Sequence, residues 1–326
     1  MMSSETRSDV TGVLRAADGV EPDAYHAPRP PAGIGRVVTA MVTPFTSERE
    51  LDLDAAQVIA DHLVRNGSDT VLVNGTTGES PTLEGDEKWQ LLRVVKEAVG
   101  DRVNVIIGTG SNSTARTVAH TIQAEQAGAD AALVVTPYYN RPDQRGLLQH
   151  FRSVAEAVEL PVVLYDIPGR TGREIDVATF AELSRVPNIV GVKDAANNLG
   201  KSGDVATATA GAPGGFVQWS GADEINLPML SLGAVGIISV AAHLAGPELA
   251  AMVAAVDTDP IRARALHLAC MPLHRALFAE SSPAPLKGAL NALGLPAGPV
   301  RPPLSEASEG AVQAVLAALE SLEVSR

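Results

Sequence analysis

The stretch Ala131-Ala132-Leu133-Val134-Val135, closed by Thr136-Pro137, holds five apolar residues in succession and offers no polar face. A strand of this kind is covered by helices on one side and by packed side chains on the other, as parallel strands are. Working outward, short apolar runs recur at residues 36–42, 70–74, 103–108, 162–166, 189–194, 216–220 and 235–239, which with 131–136 makes eight. Helical patterns lie between them at 54–66, 84–99, 114–127, 146–158, 178–185 and 223–232, several opened by Asp, Ser or Thr and closed by Gly. The spacing is that of βα units. Eight such strands predict an α/β fold, a closed (β/α)8 TIM barrel rather than an open sheet.

Further helical patterns follow the eighth strand at 247–256, 260–279, 285–293 and 308–322. The last three exceed what closure needs and are broken by the Pro-rich run 295–303. The expected organisation is a mobile N-terminal arm over 1–35, a barrel over 36–256 and a C-terminal helical appendage over 257–326. The arm mixes Ser, Asp, Pro and Gly without the apolar stretch of a secretory signal.

Twenty-five basic against 38 acidic side chains give the 326 residues a formal charge of −13. Binding driven by counterion release from phosphates is thereby disfavoured, so no nucleic-acid partner is expected. The single cysteine, Cys270, cannot form an internal disulfide, which points to a reducing, cytoplasmic setting. Hydrophobic residues make up 45% and charged residues 19%, enough for a sizeable core. No apolar run approaches the ~18 residues of a membrane span, so a soluble protein with no membrane partner is expected.

In such a barrel the reacting groups stand where strands end at the carboxyl face. Lys193 ends the apolar run 189–192, which places a long amine in the barrel mouth. A neutral lysine amine there attacks a ketone carbonyl to form a Schiff base. A solvated lysine paired with Asp194 is the plainer reading of that position alone. Tyr165, one strand away, offers a phenol to carry protons, and Thr76 and Tyr139 offer a relay to water. Thr77 and the turn 75–78 form a small Gly-flexible cradle for a carboxylate, or an ordinary helix-capping turn. Arg170, in Pro168-Gly169-Arg170-Thr171-Gly172, suits a second carboxylate, or remains a solvated loop arginine.

Four segments extend this reading: Gly75-Thr76-Thr77-Gly78-Glu79-Ser80, Val135-Thr136-Pro137-Tyr138-Tyr139-Asn140, Tyr165-Asp166-Ile167-Pro168-Gly169-Arg170-Thr171-Gly172 and Gly191-Val192-Lys193-Asp194. Together, in this order, they resemble the dihydrodipicolinate synthase (4-hydroxy-tetrahydrodipicolinate synthase) family of the N-acetylneuraminate lyase and class I aldolase superfamily. The likeness runs from about residue 36 to the C-terminus and takes in Met271-Pro272-Leu273-His274 and Pro285-Leu286-Lys287.

The resemblance implies condensation of pyruvate with L-aspartate 4-semialdehyde on the route to diaminopimelate and lysine, without metal or organic cofactor. It implies that Lys193 forms the pyruvate Schiff base, that Thr77 helps hold the pyruvate carboxylate and that Tyr165, Thr76 and Tyr139 relay protons. Tyr139 then enters a neighbouring subunit's site, so a homo-oligomer is implied, usually a dimer of dimers. Arg170 receives the semialdehyde carboxylate, and Gly221 and Ile238 line the site with their backbones. The superfamily also holds N-acetylneuraminate lyases and sugar-acid aldolases, so a pyruvate-forming aldolase of a sugar acid or other hydroxy-oxo acid is the alternative. A noncatalytic binding or regulatory barrel is the alternative of another class. Synthases inhibited by lysine often carry histidines and an acid where this chain has Gly85, Lys88 and Arg116, so weak or absent lysine feedback is implied.

Two patterns look functional without being so. His267, Cys270 and His274 share one helix face at a metal-like spacing, yet an apolar helix favours a packed face. Gly108-Thr109-Gly110-Ser111-Asn112 lacks the third glycine of a dinucleotide fingerprint and reads as the third βα loop.

Overall fold

In the computed structural model, residues 30, 31 and 34–324 are described, and the arm expected over 1–35 falls almost wholly outside them. Strands β1 (Val37–Ala40), β2 (Thr70–Val73), β3 (Asn104–Gly108), β4 (Ala131–Val135), β5 (Val162–Asp166), β6 (Ile189–Asp194), β7 (Val217–Ser220) and β8 (Gly236–Ser239) close into one barrel in sequence order. All neighbours run parallel, and the seam between β8 and β1 is sealed by pairs such as Val38↔Ile238. The expected (β/α)8 barrel is the fold.

The doubly apolar strands separate two layers. Val38, Leu72, Ile106, Leu133, Val163, Val217 and Ile238 face the barrel interior, whereas Val71, Val105, Ala132, Val134, Leu164 and Val192 pack outward under the helices. Trp219 is wholly buried inside, its indole N–H donating to the Gly35 carbonyl at 2.9 Å. Gly191 leaves room for it: a Cβ there would stand 2.9 Å from the indole and 2.2 Å from the Val217 carbonyl oxygen.

The outer ring consists of α1 (Leu53–Arg65), α2 (Glu87–Val99), α3 (Thr114–Gln126), α4 (Gln144–Ala155), α5 (Val177–Leu183), α6 (Leu199–Thr209), α7 (Asn226–Ser231) and α8 (Ala242–Ala255). The side chains of Asp52, Ser113, Asp143 and Asn198 cap four of them by accepting an N–H of the first turn. Helix α6 has no counterpart in the sequence-based set, because Gly200 and Gly203 dilute its helical pattern. Packing against the strands, with Lys201, Ser202 and Val205 buried, forms it nonetheless. Among the described residues no helix is long and apolar enough to cross a membrane.

Three more helices, α9 (Pro260–Ala276), α10 (Ala284–Ala292) and α11 (Glu309–Val324), make the C-terminal appendage. It reaches the barrel through a buried ion pair. The Lys287 ammonium donates to Glu79 at 2.9 Å, to the Thr43 carbonyl at 2.8 Å and to the Pro299 carbonyl at 2.6 Å. It also lies over the Phe45 ring. The second Glu79 oxygen accepts from the Arg301 N–H at 2.8 Å, while the Arg301 guanidinium grips Glu87 with two bonds.

Burial pushes the Lys287 ammonium below its ordinary pKa, and the Glu79 carboxylate holds it up. Removing one partner of such a pair strands the other charge. Lys287→Met is expected to cost about 3–5 kcal/mol in urea unfolding, and adding Glu79→Gln is expected to recover part of that loss.

Candidate active site

Side chains alternate across a strand, so on β5 and β6 Tyr165 and Lys193 point into the barrel mouth while Asp166 and Asp194 point out toward α6. Tyr165 and Lys193 are direct partners in the ladder, and both are buried, at 4% and 5% exposure. The lysine Nζ stands 4.4 Å from the phenol ring centroid. The solvated pair with Asp194 does not form. Asp194 instead accepts from the Ser202 hydroxyl at 2.7 Å and the Ala196 N–H at 2.9 Å. Gly221 borders the lysine stem, since a Cβ there would come within 2.8 Å of the Lys193 Cγ. Ile238 is buried in the same interior cluster as Tyr165.

The segment after β2 folds into a tight turn. Glu79 N–H donates to the Thr76 carbonyl and Ser80 N–H to the Gly75 carbonyl. The N–H groups of Thr77 and Gly78 donate to no protein acceptor among the described residues, which leaves them available to a carboxylate. Thr77 itself is buried, as is Glu79, which is held at a left-handed φ of 54° by its contacts with the appendage. Thr76 lines a cavity of about 440 Å³ over the barrel mouth, and the exposed Arg170, on the helical turn Pro168–Thr171, lines it as well.

Tyr139 is not brought to these groups within one chain. It is 90% exposed and held at a φ of 72°, a conformation that costs a bulky L-residue about 1–3 kcal/mol. Its turn is fixed by Asn140, whose N–H donates to the Tyr138 carbonyl and whose amide donates to the Asn112 carbonyl.

Sequence reasoning missed the groups behind the two inward side chains. Lys201 of α6 donates to Asp166 at 2.7 Å, with Glu174 at 3.5 Å, and the adjacent Ser202 holds Asp194. Burial pushes the Asp166 carboxyl up to about 6, the Lys201 ammonium pulling it back. The visible signal was an Asp directly after each of Tyr165 and Lys193, but their partners lie in a helix the pattern did not show. Asp223 was missed as well. It accepts from the Val240 and Ala241 N–H groups and so fixes the exit of β8 beside Ile238.

His267, Cys270 and His274 are buried within α9. Among the described residues no group of three or more acidic, His or Cys side chains is placed to hold a metal ion. The segment 108–112 runs from the last residue of β3 into the β3–α3 loop, and it lines the cavity through Gly108, Thr109, Gly110 and Ser111.

A closed (β/α)8 barrel with a buried lysine beside a phenol at its carboxyl mouth belongs to the class of Schiff-base-forming lyases. The Dihydrodipicolinate synthetase family model matches residues 33–322, and the chain belongs to that family. It is similar to the 4-hydroxy-tetrahydrodipicolinate synthase of Moorella thermoacetica, at 51% identity over 290 residues, covering 88% of this chain and 97% of that protein. The enzyme of that name from Synechococcus sp. strain CC9605 is 50% identical over 294 residues, covering 90% and 96% respectively. Among solved structures, that of the Cyanidioschyzon merolae enzyme with lysine bound has a TM-score of 0.86 at 43% identity and covers 89% of this chain and 99% of that one. The Thermotoga maritima dihydrodipicolinate synthase has a TM-score of 0.87 at 37% identity, with coverage of 90% and 99%.

The buried Asp166 has a consequence for stability. Its folded value, about 6, lies above the ordinary 3.8, so the folded chain retains a proton there that the unfolded chain releases. The resulting stability is fully present below the unfolded value and lost as pH rises through about 6. Asp166→Asn is expected to remove up to about 3 kcal/mol of the fall in stability between roughly pH 4 and 7, measured as urea midpoints. An unchanged pH dependence in that variant rejects the assignment.

Proposed function

We propose that this chain condenses pyruvate with L-aspartate 4-semialdehyde to give 4-hydroxy-tetrahydrodipicolinate, through a Schiff base on Lys193, in diaminopimelate and lysine synthesis. The observation that carries the reading is the buried Lys193 amine at the barrel mouth, free of its neighbour Asp194 and 4.4 Å from the Tyr165 ring centroid.

In this mechanism the Lys193 Nζ adds to the pyruvate ketone, and the carbinolamine loses water as Tyr165 supplies a proton to the leaving hydroxyl. The iminium then gives up a methyl proton to become an enamine. The iminium is itself the electron sink, so no metal or organic cofactor enters. The enamine carbon attacks the aldehyde, forming the new carbon–carbon bond. The amine of the semialdehyde then displaces Lys193 by transimination, closing the ring and freeing the lysine. Thr77 and the free N–H groups of the turn hold the pyruvate carboxylate, and Thr76 and Tyr139 carry protons between Tyr165 and water. Arg170 receives the carboxylate of the semialdehyde, while Gly221 and Ile238 shape the wall. The barrel over 36–256 does this chemistry, and the appendage over 257–326 braces the turn through Lys287.

The exposed and strained Tyr139 suits a homo-oligomer, a dimer of dimers in the cytoplasm, in which it completes a neighbouring copy's relay.

Pyruvate with borohydride is expected to attach covalently at Lys193, located by peptide mass mapping, with turnover of the semialdehyde well above that of sugar-acid substrates. An adduct that persists in Lys193→Ala sinks the assignment. Mixing inactive Tyr139→Phe chains with inactive Lys193→Ala chains is expected to restore part of the activity. Proven subunit exchange without recovery places Tyr139 outside its neighbour's relay.

A further inference from the structure

Arg170 is carried by the segment 167–176, which leaves the end of β5 and returns to the start of α5. Among the described residues its guanidinium makes no hydrogen bond or ion pair, so its reach over the mouth is set by where the backbone carries it. That backbone forms a closed turn. The Arg170 and Thr171 N–H groups donate to the Ile167 carbonyl, and the Thr171 hydroxyl lies 3.1 Å from the Ile167 carbonyl and 2.7 Å from that of Arg173. A turn tied within itself moves as a unit, and what fixes it is whatever joins its two ends.

Both ends meet at Asp166. This is the last residue of β5, and one oxygen of its carboxylate accepts from the Ile175 N–H of the returning chain at 3.3 Å. Lys201 of α6 completes the joint, with its Nζ 2.7 Å from the other Asp166 oxygen and 3.5 Å from Glu174. The lysine therefore spans the departing and the returning chain from a third element. Asp166 is 1% and Lys201 8% exposed, and the ammonium lies over the Phe180 ring of α5. Asp194, the other carboxylate on this side of the sheet, is taken by Ser202 and the Ala196 N–H. Toward solvent, Gln144 of α4 holds the returning chain at Glu174 and Asp176, and Arg141 donates to the Gly172 carbonyl. Neither ties the segment back to β5. The charge-assisted bond from Lys201 is the short one at that joint, so most of the constraint resides there.

We propose that Lys201 is a positioning residue for the acceptor: through Asp166 and Glu174 it staples both ends of the segment 167–176 and so holds Arg170 where the semialdehyde carboxylate is received. This role rests on the one proposed for Arg170. It gives α6 a part in the second half-reaction and none in the first, because Lys201 stands in the outer layer, behind the strands that turn Tyr165 and Lys193 inward.

The test is steady-state kinetics with each substrate varied, together with borohydride trapping of pyruvate and thermal unfolding. The variants are Lys201→Met/Asp166→Asn, which leaves no buried charge unpaired, Lys201→Arg and Glu174→Ala. The double variant is expected to raise the KM for the semialdehyde about tenfold, the scale of one charge-assisted hydrogen bond, with kcat changed far less and the pyruvate adduct at Lys193 formed as before. Lys201→Arg is expected to keep the KM near its original value, and Glu174→Ala, which leaves the buried pair in place, to raise it about threefold. Added to Arg170→Ala, the double variant is expected to cause little further loss, since it acts through that residue. An unmoved semialdehyde KM in the double variant and in Glu174→Ala overturns the proposal, and Glu174→Ala decides alone if the double variant does not fold. Equal losses in semialdehyde use and in pyruvate trapping, or a full further loss on top of Arg170→Ala, make Lys201 a general support of the barrel and overturn it too. A normal pyruvate adduct with an unmoved KM fails this role only, whereas absence of the adduct in the unaltered protein fails the proposed function and this role with it.

Discussion

A lysine that is to attack a carbonyl has to be buried without a carboxylate beside it to fix its charge, yet this chain places Asp194 directly after Lys193. The strand's two-residue period resolves the conflict. Lys193 turns into the barrel and Asp194 turns out to the helix layer, where Ser202 takes it. The same arrangement serves Tyr165 and Asp166, with Lys201 as the outer partner. Two consecutive residues of α6 thereby occupy both carboxylates next to the inward pair. The burial that raises Asp166 to about 6 shows what desolvation there costs without full compensation.

Space around the lysine is controlled by small residues rather than polar ones. Gly191 yields to Trp219 on one side, and Gly221 yields to the Lys193 stem on the other. The barrel interior is filled by side chains from alternate positions of the strands, so a methyl group at either glycine displaces the element whose position defines the mouth. The turn after β2 is set from farther away. Glu79 reaches Lys287 of α10, a contact across 208 residues, and the left-handed backbone at Glu79 is held by that buried pair.

The mouth also joins two electrostatic regimes. Below it, Lys193 and Tyr165 are shielded and their acidic neighbours are tied away. Above it, between α2 and α3, basic side chains gather without acids. In a chain of formal charge −13 the wall of this cavity is thus locally reversed in sign.

Sequence alone determined the barrel, because doubly apolar strands alternating with capped helices have one compact solution when there are eight of them. It also determined which residues stand at the strand ends, and so named Lys193, Tyr165, Thr76, Thr77 and Arg170. Helix α6 was not legible, since Gly200 and Gly203 weaken its pattern, and packing on the strands with the Asn198 cap stabilises it. With it went the Lys201–Asp166 and Ser202–Asp194 contacts, which join residues 35 and 8 positions apart by the curvature of the barrel. The pairing of Glu79 with Lys287 and the gathering of Lys88, Arg116 and His120 around one cavity are likewise products of tertiary structure. Local patterns fix which face of an element is apolar, whereas the meeting of two polar side chains depends on how the closed barrel brings distant elements together.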